Sequence, residues 1–195
     1  MGNNRKAIYI AGSILALIII YTIVVYNSLV KKEELINQQW SEVQNTYQRR
    51  LDLVPNLVNV VKGVSDFEQE TLKKIAEARA NALSASSDNS ITAQNYKKQN
   101  DLQDSLASAA NRIIVIIEKY PVLKGTAAYS GLQVQLEGTE RRIKIARNDF
   151  NAAVAAYNKK VRGFPSNIVA DILGFKKKEG FEAVAGSNKA VEIKF

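Results

Sequence analysis

The side chains of this 195-residue chain whose types and spacing suit chemistry fall into three groups. Arg49, Arg50 and Asp52 form a dense polar knot inside an otherwise apolar helical pattern. Glu140, Arg147, Asn151, Tyr157 and Asn158 recur further on at intervals that share helix faces. Lys176, Lys177 and Lys178 make the densest cationic cluster, with Lys159, Lys160 and Arg162 shortly before it. The first two groups suit a polar groove that accepts a ligand or partner chain. They also suit a network of interhelical ion pairs and hydrogen bonds that fixes helix register, and that is the favoured reading. The basic cluster suits anionic lipid headgroups as well as it suits a solvated helix end that favours the dipole.

What the chain lacks narrows these options. It has no His, hence neither the commonest general base and metal ligand nor the usual partner of a Ser nucleophile. It has no Cys, which excludes disulfides, thiolate catalysis and thiolate metal sites. Di-iron helical bundles need Glu-x-x-His pairs, and none can exist here. A Ser–Lys arrangement is the remaining way to activate a hydroxyl, and no Lys falls in an identifiable apolar pocket. Gly174 is not followed by a second glycine or a Lys-Ser/Thr pair, so it opens no phosphate loop. The expectation is a protein that is not an enzyme, with no cofactor, no metal and no small-molecule substrate. The net charge of +8 is spread among acidic residues without an aromatic-interleaved basic motif, which argues against nucleic acid.

The elements that must position these residues begin with a membrane anchor. From Ala7 to Val30 the chain carries no charge, and Arg5, Lys6, Lys31 and Lys32 close its ends. A bilayer core takes about 20 apolar helical residues, so this run suffices with some tilt. Tyr9 and Tyr26 sit near its two ends, where amphipathic rings favour the headgroup level. The run is longer than a signal peptide's apolar region and lacks a small-x-small site after it. Met1-Gly2 hints at myristoylation, but position 6 is Lys rather than Ser or Thr.

Beyond the anchor the apolar spacing is helical. Ile36, Trp40, Val43, Tyr47, Leu51, Val54, Val58 and Val61 recur every three or four residues, with no break from the span, so the two are expected to form one rod. Pro55 should kink or restart that helix, and Gly63 with Ser65-Asp66 reads as a stop and a new cap. A shorter helix is expected over about Phe67–Leu83, a Ser/Asp/Asn loop over Ser84–Ser90, and a third helix over Thr92–Tyr120, ended by Pro121. The longest of the soluble part runs over Thr126–Arg162, with Glu137–Arg141 and Glu140–Lys144 as i, i+4 pairs on its exposed face. Ser166 can cap a short helix to Leu173, stopped by Gly174. Trp40 and Tyr120, at stripe positions, read as core before interface anchors. The last residues, Phe175–Phe195, read as an extended tail pinned by Phe175, Phe181 and Phe195. The fold class is all-α: a short tail (1–6), a transmembrane helix (7–30) continuing into an elongated antiparallel bundle of about four long helices (31–174), and the extended tail (175–195).

An ordered set of short motifs also runs along the chain. Tyr26-Asn27-Ser28-Leu29-Val30 closes the span, followed by Trp40-Ser41-Glu42-Val43-Gln44 and Gln48-Arg49-Arg50-Leu51-Asp52-Leu53-Val54-Pro55-Asn56-Leu57-Val58. Glu77-Ala78-Arg79-Ala80, Tyr120-Pro121-Val122-Leu123-Lys124, Ala146-Arg147-Asn148-Asp149-Phe150-Asn151, Tyr157-Asn158, Phe164-Pro165 and Gly174-Phe175 come later. In that order and spacing they resemble the LemA family, from about Tyr26 to the C-terminus; Gly125 departs from the more usual Ala. The resemblance implies an N-terminal membrane helix with a long helical domain, and no established activity. Together these readings lead to the expectation of a single-pass protein of a bacterial inner membrane. It would be a scaffold or adaptor that contacts the bilayer through residues 7–30 and pairs with copies of itself or another membrane protein. Near the span Arg5 and Lys6 stand against Lys31, Lys32 and the more distant Arg49 and Arg50, and the family resemblance tips the expectation toward a cytoplasmic domain. The alternative is a membrane-remodelling or lipid-organising protein that uses the basic end and the apolar tail.

Overall fold

A computed structural model describes residues 2–62, 69–88, 90 and 92–181, with side chains from residue 6 onward. Among the described residues six helices follow in order: α1 (Gly2–Val61), α2 (Gln69–Ser86), α3 (Ala93–Ile117), α4 (Pro121–Lys124), α5 (Ala127–Arg162) and α6 (Ser166–Ile172). There is no strand among the described residues. The expected stop at Gly63 and cap at Ser65-Asp66 lie outside them, as does the tail beyond Phe181.

The uncharged apolar run and the first helix of the bundle are one helix, as the unbroken apolar spacing required. At 1.5 Å per residue the 60 residues of α1 rise about 90 Å. Pro55 does not restart it: the helix runs on to Val61. Proline has no N–H to give the carbonyl four residues back, here that of Leu51. Arg79 of α2 supplies the missing donor, its Nε lying 3.0 Å from the Leu51 oxygen. The carbonyl that would otherwise be orphaned is satisfied from a neighbouring helix.

Thr92 and Thr126 cap α3 and α5 by accepting from Asn95 N and Tyr129 N. Ser166 caps differently from expectation. It is the first residue of α6, and its hydroxyl is shared between the carbonyls of Lys160 and Gly163, closing the end of α5 instead. Gly174 ends α6 at φ +78°, the left-handed region that glycine enters without Cβ strain. Gly174 N then reaches the Asp171 carbonyl and Phe175 N the Ala170 carbonyl, which together satisfy the helix end.

Two apolar clusters fill the bundle. One joins Leu51, Leu57, Ile75, Leu106, Ile113, Tyr129 and Leu136 from α1, α2, α3 and α5 at the end far from the span. The other joins Trp40, Val43, Tyr47, Tyr96, Phe150, Tyr157 and Val169, and takes in Val25 and Leu29 from the apolar run. The core therefore reaches into the last turns of the anchor. Trp40 is core, 2 % exposed, whereas Tyr120 is half-buried beside α4.

Candidate functional site

Antiparallel contact between α1 and α5 produces the seam where most of the predicted polar residues meet. Arg50 is 1 % exposed. Its Nη2 lies 2.5 Å from Glu140 of α5, and its Nη1 donates to the Gln103 carbonyl (2.8 Å) and side-chain oxygen (3.2 Å) of α3. One guanidinium thus ties three helices. Glu140, expected to pair with Lys144 along its own helix, reaches across to α1 instead. Arg49 and Asp52 face away from the seam and are exposed, Asp52 accepting from Gln48 one turn back. The sequence knot therefore splits, with Arg50 inward and its two neighbours outward.

Two turns along, Arg147 of α5 repeats the theme. Its Nε donates to the Tyr47 hydroxyl at 3.0 Å, and its Nη2 meets Asp104 of α3 at 3.2 Å. The guanidinium lies 5.4 Å from the Tyr47 ring centre and 5.7 Å from that of Phe181. Burial pushes the Tyr47 hydroxyl above its ordinary pKa, an effect partly offset by Arg147.

Asn151, Asn158 and Tyr157 do something the sequence left unread. They bind the start of the tail, residues 175–181, which lies extended along α5. Asn158 Nδ2 donates to the Lys178 carbonyl (2.7 Å) while its Oδ1 accepts from Lys178 N (2.9 Å). Asn151, two helical turns away on the same face, makes the same pair of bonds with Phe181, at 3.1 and 2.8 Å. The Tyr157 hydroxyl donates to the Lys176 carbonyl at 3.0 Å. Each asparagine reads one peptide unit as a strand neighbour would, so recognition is of main chain rather than side chain. Gly180 makes this approach possible, since a Cβ there would stand 2.5 Å from Asn151 Oδ1. Phe175 packs on Tyr26 and Phe181 on Trp40, Tyr96 and Phe150. Phe195, the third expected pin, lies outside the described residues.

The three lysines are placed separately by this strap. Lys178 Nζ bonds Glu33 of α1 at 2.7 Å and sits over the Tyr157 ring, while Lys176 and Lys177 are exposed. Arg79, quoted above only as part of a motif, is the structural partner that sequence reasoning missed. Its signal was a lone Arg on an alanine-rich helix that follows a helix with an internal proline.

Comparison with known proteins follows the same lines. The chain is 26 % identical to magnetosome protein MamQ of Magnetospirillum gryphiswaldense, over 98 % of this chain and 78 % of that protein. It is 26 % identical to MamQ 2 of Paramagnetospirillum magneticum, over 80 % of this chain and 64 % of the relative. Protein LemA of Metamycoplasma hominis is 26 % identical, over 92 % of this chain and 80 % of the relative. None of these names denotes a catalysed reaction. The sequence model of the LemA family matches residues 39–195, which takes in the seam, the asparagine pair and the strap, and the chain belongs to the LemA family.

Proposed function

We propose that this protein is a single-pass, membrane-tethered helical scaffold without catalytic activity, which holds a rigid rod at a fixed attitude to the bilayer for a protein partner or further copies of itself. The observation that carries this reading is the continuity of α1. One helix contains an apolar stretch long enough to cross a membrane and one wall of both core clusters, with no turn between them. A flexible tether would place a bound partner anywhere within reach, whereas a continuous helix fixes its height and direction. The polar residues of the seam support the scaffold reading, because they are committed to one another and to the strap. The self-association arm is tested by mass measurement of the full chain in detergent. A defined oligomer supports it, and a strict monomer leaves a heterologous partner as the scaffold's object. A bacterial inner membrane with the domain on the cytoplasmic side is part of the proposal. Protease added to spheroplasts should spare the domain, and its digestion without lysis would reverse the topology.

A further inference from the structure

The membrane-proximal end of the bundle carries an apolar edge that none of the described residues covers. Phe164, Ile168 and Ile172 recur every four residues through the α5–α6 turn and α6, and are 84 %, 52 % and 77 % exposed. The opposite face of α6, with Ser166, Val169 and Ala170, is buried. Asn167 and Asp171, exposed, form a polar edge beside the apolar one. A short helix with one face docked, one face apolar and one edge polar has the character of an element lying at a water–lipid boundary.

Its height along α1 says which apolar medium is there. Val169 and Ala170 share a cluster with Val25 and Leu29, both within the uncharged run that reads as the span. The contacts Arg50–Glu140, Tyr47–Arg147 and Trp40–Phe150 fix the antiparallel register of α1 and α5. Continued to its end, that register brings Lys159, Lys160 and Arg162 level with residues 28–35, beside Lys31 and Lys32. A basic belt therefore stands where anionic headgroups would be, and the apolar edge lies at its membrane side.

We propose that α6 is a second membrane contact: it lies in the headgroup–acyl boundary with the Phe164–Ile168–Ile172 edge in the lipid. The bundle is then held on the bilayer surface by α6 as well as by the span, and cannot swivel about α1. This rests on α1 spanning the membrane, and the test separates the two claims. The chain has no Cys, so single-cysteine variants take one spin label each. The full chain carrying Phe164→Cys, Asn167→Cys, Ile172→Cys, Ile14→Cys or Glu137→Cys is reconstituted into vesicles of zwitterionic and anionic phospholipid. Oxygen, which concentrates in lipid, and a water-soluble nickel chelate then compete to relax each label. Labels at 164 and 172 should lose nickel sensitivity and gain oxygen sensitivity, as at mid-span Ile14. Those at 167 and at distal Glu137 should stay open to nickel. Nickel-accessible labels at 164 and 172 with a lipid-buried Ile14 overturn the α6 contact alone. Nickel access at Ile14 as well overturns both. Labels at 164 and 172 shielded from both reagents mean that protein covers the edge, which also overturns the proposal.

Discussion

Arg50 and Glu140 form an ion pair whose two ends live in different media. The arginine side chain is 2 % exposed and the glutamate side chain 47 %, so removing one partner is not equivalent to removing the other. Glu140→Gln leaves a buried cation with its strongest partner neutralised, which by the usual cost of an uncompensated buried charge destabilises by about 3 kcal/mol or more. Arg50→Met removes the buried charge and leaves a carboxylate that water can reach, so it should cost nearer 1 kcal/mol. Urea unfolding of the two variants in detergent reads the difference, and equal losses would show that the pair is effectively solvated. Tyrosines give the matching pH argument. Burial is the main cause raising the pKa of Tyr47, Tyr96, Tyr129 and Tyr157. Below the ordinary tyrosine value of about 10 both folded and unfolded chains are neutral at these groups. Above it the unfolded chain ionises first, so stability is lost as pH rises through the folded values. With no His to titrate near neutrality, melting temperature should hold level from about pH 6 to 9 and fall above about pH 10. Phenolate absorbance from these four tyrosines should appear with unfolding rather than before it. The sequence could show that Arg50 and Arg147 were unusual, because charges at stripe positions break the apolar period. It could not name Gln103 or Asp104 as their partners, since a third helix brings those from more than 40 positions away.

The long helices were legible because the three-to-four spacing is a property of one element and its buried face, whereas the single turn of α4 after Tyr120 carries no such period and was not expected. The restart expected at Pro55 is absent because the proline's effect depends on another element. In isolation the missing N–H would break α1; with α2 alongside, Arg79 fills the Leu51 carbonyl. The two positions should therefore be coupled. Arg79→Met leaves a carbonyl unsatisfied and should cost about 1–3 kcal/mol. Pro55→Ala restores the helix's own hydrogen bond, so in that background Arg79→Met should cost far less. Additive losses in the double-mutant cycle would separate Arg79 from the proline. The strap was legible only in part. Phe175 and Phe181 were expected to pin an extended tail and do so, but the main-chain bonds to Asn151, Tyr157 and Asn158 leave no side-chain period to read. Gly180→Ala would push a methyl into Asn151 and should cost the Asn151–Phe181 pair, about 1–2 kcal/mol from two bonds. Because Phe181 packs against Trp40, the single Trp reports it. A changed Trp40 emission with faster amide exchange at Phe181 is expected, and an unchanged spectrum would mean that the strap shifts without letting go.

At the scale of the whole molecule, anchor and domain overlap where a reading by charge separates them. The uncharged run ends at Val30, yet Val25 is 1 % exposed and Leu29 fully buried, in one cluster with Val161, Val169 and Ala170, against which Phe175 packs. Those two side chains face protein, while the rest of the run, from Ile8 to Val24, presents its large apolar residues outward. The same helix thus changes its surroundings along its length: exposed on all sides first, then packed against the bundle on one face. Cutting the chain at the charge boundary should therefore damage the domain. Full burial of a Val or Leu contributes about 1.5–3 kcal/mol, so a fragment starting at Lys31 loses both contributions and uncovers the apolar side of α6. A fragment starting at Tyr21 keeps them while discarding most of the span. In a domain of this size each kcal/mol moves the melting temperature by about 2–4 °C. The shorter fragment should melt at least about 6 °C below the longer one in the same detergent. Equal melting would mean that Val25 and Leu29 only rest against the bundle, and that the domain ends where the charges begin. A large gap would mean that the last turns of the anchor are part of the fold, and that the attitude of the rod is set by packing at the membrane surface as much as by the stiffness of α1.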